Sequence, residues 1–363
     1  MMRALLEWIK KEKFYVILFL LVGAYLFYER VHFGSAPSEM PVSQEVIAYQ
    51  QAEGELQQKV QTSGSLEVFL KDRPDLAALF GFFTSFILLA LLIGLAIDIG
   101  YSINKRFRSH LVFQFHEPSF SDWRLSMLFK VVVLFFAAGL MASFILGYFR
   151  RVVFEGPSDN FYILMHTTLV DVLCFLFIWH VMNRSGGGLR DIGFRVPDGK
   201  ILRELVIGWL GYLAILPAFA IVLIAVVFIS EWLAQEPPLH PIINVFLEEE
   251  KRNPFLVQYS VLLAAVIGPF FEEIFFRGFC YSIIKKKWGK IWGMLASSAL
   301  FAWIHESSFA FWPIFVLGLG LAYLYEKRQS LIAPMVLHIT HNSVFLAYFF
   351  LTKQVLAQEA GLF

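Results

Sequence analysis

The chain has 363 residues, of which 58% are hydrophobic, 17% aromatic and only 16% charged. With a mean hydropathy of +0.64, this balance excludes an ordinary soluble domain and calls for lipid as solvent. The formal charge of +1 gives no basis for nucleic-acid binding, and none is expected.

A helix needs about 20 apolar residues to cross hydrocarbon about 30 Å thick, because no water is present there to satisfy a broken backbone. Candidate spans in chain order are 14–28, 77–101, 125–149, 161–182, 205–229, 257–276, 291–304, 309–325 and 331–351, the first and seventh being short. The expected fold is all-α, a polytopic membrane bundle of about nine transmembrane helices. The first span follows Arg3, Lys10, Lys11 and Lys13, and no small-x-small cleavage pattern comes after it, so it reads as an uncleaved anchor. Residues 31–76 open on Gly-Ser-Ala-Pro-Ser and continue Gln- and Glu-rich with helical character, which reads as an external helical hairpin or cap. The chain divides into N-terminal membrane helices over 1–183, a linker with three consecutive glycines over 184–203, and a C-terminal bundle over 204–363. Cys174 and Cys280 lie in or beside apolar runs, so neither a disulfide nor a thiolate metal site is expected.

Lys and Arg alternate between sides of this pattern. The N-terminus, Lys105 with Arg106 and Arg108, then Arg184, Arg190, Arg195, Lys200 and Arg203, the segment 277–290, and Lys327 with Arg328 all fall on one side. Acidic residues, among them Glu39, Glu45, Glu53, Glu55, Glu67 and Glu248 to Glu250, fall on the other. The N-terminus is therefore expected in the cytoplasm and the C-terminus outside.

Ionisable residues in apolar spans are costly, so each is a functional candidate. Asp98, His166, Asp171 and His180 stand alone in their runs and read as structural hydrogen-bonding groups. Glu272, Glu273 and Arg277 cluster at the expected cytoplasmic end of the sixth span. Glu273 and Arg277, four apart, share a helix face and can pair, while Glu272 is rotated by about 100° and stays available. A snorkelling charge cluster is the plainer reading of these three alone. His305 ends the next span, and His338, His341 and Asn342 lie in the last. A carboxylate with a histidine can deprotonate a water, and a histidine with an asparagine can donate to a developing oxyanion. His305-Glu306 is followed by Ser-Ser-Phe, so no His-Glu-x-x-His motif exists, and Gly-x-Ser-x-Gly is absent too. A zinc site made of Glu272, His305 and His338 stays open. Depth raises a difficulty: at about 1.5 Å per residue, Glu272 is about 7 Å from Arg277 and His338 about 12 Å from Ser330, whereas His305 is about 22 Å from Lys290. Either a helix begins beyond the membrane boundary, or the seventh and eighth spans are tilted or re-entrant.

Glu-Glu-x-x-x-Arg, Phe-x-x-x-His and His-x-x-x-Asn, in that order between Glu272 and Asn342, resemble the CPBP family of intramembrane glutamic proteases. That family comprises type II CAAX prenyl endopeptidases and bacteriocin-processing or immunity-type membrane proteins. The similarity extends back toward the Gly-Phe pair near Arg195, while residues 1–180 show no counterpart. The resemblance implies that Glu272 activates water, that Glu273 and Arg277 support it, that His305 is its partner, and that His338 and Asn342 form the oxyanion site. All three motifs are intact, as in a catalytic member, and His341 lies outside them and reads as structural. The implied activity is an endopeptidase acting on membrane-associated peptide or protein substrates, without a cofactor, in a bacterial cytoplasmic membrane. A zinc-dependent protease, or a non-catalytic immunity or transport protein, is the alternative.

Overall fold

The computed structural model describes residues 2–33, 43–104, 109, 123–152, 157–184, 186–233 and 241–360. The basic loop at Lys105, Arg106 and Arg108, the stretch 34–38 and Glu39 lie outside them. Every regular element among the described residues is a helix, and seven helices are long and apolar enough to cross a membrane. These are α5 (Pro74–Ile103), α6 (Leu125–Val152), α7 (Asp159–Arg184), α8 (Ile201–Trp232), α10 (Pro254–Trp288), α12 (Ser308–Arg328) and α13 (Ile332–Ala360). The remaining helices are α1 (Met2–Lys11), α2 (Lys13–Phe33), α3 (Gln44–Thr62), α4 (Leu66–Lys71), α9 (Pro241–Glu249) and α11 (Lys290–Trp303). The two short expected spans account for the difference from nine. α2 carries the apolar run 14–28, and α11 has 14 residues, or about 21 Å of helix, which is shorter than about 30 Å of hydrocarbon.

Contacts define two compact units that follow a different division from the sequence boundaries at 183 and 204. One joins Met1–Val42 to Ser119–Leu189, the other Ser43–Pro118 to Arg190–Phe363. In the first, α6 packs on α7 and α2, burying Val131, Val133, Ala138 and Ala142 of α6 and Leu164, Val170, Cys174 and Ile178 of α7. Lys130 meets Glu12 at 2.8 Å, so each charge is compensated where the helices have little water.

The second unit carries the motifs. Helix starts follow ordinary capping chemistry: Ser43, Ser65, Asn253 and Ser307 each accept a backbone N–H of the helix they precede, those of Val46, Val68, Leu256 and Ala310. α8 lies against α5, α12 and α13, and α11 forms a tight pair with α12. α5 meets α8 at Gly94, where a Cβ would come 2.1 Å from the Leu213 carbonyl oxygen. Pro217, four residues on, has no N–H for that carbonyl, so the proline frees the oxygen and the glycine admits it. α3, expected as an external cap, lays Val46, Tyr49 and Ala52 on Phe246 of α9, Ala265 of α10 and Phe349 of α13. Each fully buried aromatic there contributes about 2–3 kcal/mol of apolar burial.

Part of the expected linker is built into this unit. Leu331 N donates to Gly193 O at 2.9 Å, Tyr325 Oη to Ile192 O at 3.0 Å, and Ser330 Oγ to Arg195 O at 2.8 Å. Arg195 Nε donates to Gln329 O, and burial holds this guanidinium below its ordinary value, offset by Tyr325 and Asp191. The strap 192–195 thus fixes the turn that launches α13.

Candidate active site

α10 is not a uniform α-helix. A short α segment, Gly268–Glu273, lies between π-helical turns at Leu263–Ile267 and Ile274–Tyr281. Pro269 cannot donate to the ladder and crowds the preceding turn, a recognised cause of such wide turns. The two glutamates close the middle segment and Arg277 lies in the wide turn after it.

Glu273 and Arg277 pair as their spacing predicts, Arg277 Nη1 donating to Glu273 Oε1 at 2.8 Å with side chains 0% and 1% exposed. The same oxygen receives His338 Nδ1 of α13 at 2.9 Å. The other ring nitrogen, Nε2, is 3.6 Å from Glu272 Oε2, and Glu272 keeps 28% of its side chain accessible. One carboxylate is therefore committed to a guanidinium and an imidazole, and the other faces open space beside that imidazole. Among the described residues, Glu273 Oε2, Arg277 Nε and Ser298 Oγ are buried with no hydrogen-bond partner. A buried ion pair with incomplete partners is a poor device for stability, which points to a chemical reason for its presence.

Phe301 of α11, given no role by sequence reasoning, organises this cluster. Arg277 Cζ stacks 4.4 Å from its ring centroid, and the rings of His305 and His338 approach it edge-on at 5.0 and 5.5 Å. His305 Nδ1 lies 2.7 Å from Phe301 O, a bond in which the ring nitrogen donates and leaves Nε2 free. Among the described residues no hydrogen bond or ion pair joins His305 to Glu272. Asn342 Nδ2 donates to Ala264 O at 2.8 Å. His341 turns to the rings of Tyr212 and Phe219.

The difficulty over depth comes from placing Arg277 at the membrane edge, and its burial corrects this. The edge of this bundle is a knot around Glu326, which receives Lys285 at 2.7 Å, Lys290 at 2.8 Å and Tyr281 Oη at 2.7 Å. Measured from Lys285, Lys290 and Glu326, Arg277, Ser298 and Gly318 all lie about 12 Å inward at 1.5 Å per residue. They do meet, Arg277 Nη2 donating to Gly318 O at 3.3 Å and Gly318 abutting Ser298. Counted along the chain from Lys285 and Lys290, Glu272 is 13 residues and His305 15 residues inward, so these two lie at similar depths. Glu326 and Glu204 went unassigned in the sequence, and Arg328, read there as a cytoplasmic-side charge, instead pairs fully buried with Glu204 between α12 and α8.

Among the described residues no group of three or more His, Cys, Asp or Glu side chains is arranged to hold a metal ion. For the set Glu272, His305 and His338, the first and last are close and His305 joins them only through the ring of Phe301.

Fold and site together define an integral membrane helical protein with a carboxylate, guanidinium and imidazole cluster inside its bundle. Residues 254–344 match the family model described as type II CAAX prenyl endopeptidase Rce1-like. This segment runs from the start of α10 to just past Asn342 and is similar to the CAAX protease family that the three motifs resemble. No curated protein and no solved structure matches the chain.

Proposed function

We propose that this protein is an intramembrane endopeptidase that hydrolyses peptide bonds of membrane-associated protein or peptide substrates with water activated by Glu272, without a metal. The observation that carries this reading is the division of labour between adjacent carboxylates: Glu273 is enclosed by Arg277 and His338, whereas Glu272 remains accessible. Glu272 takes a proton from water as its oxygen attacks the substrate carbonyl. With both ring nitrogens protonated, His338 donates Nδ1–H to Glu273 and Nε2–H to the oxyanion of the intermediate. As the carbon–nitrogen bond breaks, the proton held at Glu272 passes to the departing amine, which restores the site. His305, in the turn just past α11, has its ring fixed by Phe301 O and packed on the Phe301 ring that His338 also meets.

We place the Lys285–Glu326–Lys290 side, where two lysines meet one carboxylate, toward the cytoplasm. The test is cleavage of membrane-tethered peptides by the purified protein in liposomes, with and without a chelator. Glu272→Gln should lower turnover about 10²- to 10⁴-fold in a protein that still folds, and a chelator should change nothing. Stoichiometric zinc in active protein, lost together with activity in His338→Ala, would replace this mechanism with a metal one.

A further inference from the structure

Asn342 makes a contact that the proposed chemistry does not use. In the first π-helical turn of α10 the Gly268 amide donates to the Leu263 carbonyl, five residues back. In that register the next carbonyl, that of Ala264, needs the N–H of residue 269, and residue 269 is a proline. Water is scarce within an apolar bundle, so the carbonyl depends on a side chain for its donor. Asn342 Nδ2 supplies it at 2.8 Å.

The freed carbonyl belongs to the turn that abuts Glu272. A Cβ built on Gly268 would lie 3.9 Å from Glu272 Oε1, so the carboxylate folds back over the residue whose amide defines the wide register. One turn before Asn342 on α13, His338 holds Glu273. The His-x-x-x-Asn pair therefore grips α10 at two points, a carboxylate and a proline-orphaned carbonyl, with Glu272 between them along the chain.

We propose that Asn342 is a positioning residue: its amide replaces the donor that Pro269 lacks and fixes the π-helical turn from which Glu272 is aimed. This rests on Glu272 being the reacting carboxylate, and it differs from the oxyanion role that the family resemblance gives Asn342.

A double-mutant cycle in the full-length protein separates the two roles, because Pro269→Ala restores an N–H at residue 269 able to reach the Ala264 carbonyl. Asn342→Ala alone should lower kcat about tenfold with KM unchanged, whereas in the Pro269→Ala background it should cost less than about twofold. Thermal unfolding in detergent should show the same loss of effect. An equal fall in kcat in both backgrounds, as an oxyanion donor would give, overturns the proposal. Where Pro269→Ala is itself inactive, or no peptide is cleaved by the unaltered protein, the unfolding cycle decides. An Asn342→Ala penalty in melting temperature that persists undiminished in the Pro269→Ala background overturns the anchor. A penalty that shrinks there supports it even if absent proteolysis has refuted the endopeptidase reading.

Discussion

His166 of α7 and His338 of α13 both sit on apolar membrane helices, and their surroundings set them apart. His166 Nε2 is 3.0 Å from Gly139 O and 3.1 Å from Ser143 Oγ, neutral groups on the neighbouring α6. His338 has a carboxylate at each ring nitrogen, with a guanidinium behind one of them. Neutral partners satisfy an imidazole at small cost, as expected of an isolated structural histidine, whereas gathering acids and a guanidinium inside a bundle is expensive. Within lipid, the charge of the partners separates a packing histidine from one available for chemistry.

The sharpest way to break this comparison is to delete each ring. His338→Ala should reduce cleavage about 10²- to 10⁴-fold, whereas His166→Ala should leave it within about twofold. Comparable losses for the two, in folded protein, would erase the distinction. Next in size is Arg277→Gln, which leaves Glu273 buried without its cation and should destabilise the protein by about 3–5 kcal/mol. Unfolding of the detergent-solubilised variant measures it, and a loss below about 1 kcal/mol would mean that His338 alone supports that carboxylate. Smallest is the turn after His305, where Glu306 has φ 51°. Glu306→Gly should raise stability by less than about 1 kcal/mol through relief of a left-handed conformation, a shift read in the same unfolding assay.

The pairing of Glu273 with Arg277 was legible because spacing within a helix is local: four residues return to the same face. The all-helical fold and its long spans were legible from apolar length for the same reason. Contacts between helices were not. His338 meets Glu273 across 65 residues and Arg328 meets Glu204 across 124, and only packing sets such encounters. The role of Phe301 was hidden because an aromatic residue in an apolar helix looks like any lipid-facing or core ring, and its position between Arg277, His305 and His338 appears only in three dimensions. The Ala264 carbonyl left a faint trace in Pro269. Whether that proline orphans the carbonyl four or five residues back depends on a helical register that no periodicity reports.

The crossing of α5 and α8 also imposes an order on biosynthesis. Gly94 is made well before the Leu213 carbonyl it receives, and the intervening Ser119–Leu189 belongs to the other compact unit. With roughly 120 residues between them and translation at about 5–20 residues per second, α5 waits roughly 6–24 s in the membrane for its partner. The unit that bears the glutamates therefore begins to emerge early and closes late, after Ser119–Leu189 has left the ribosome.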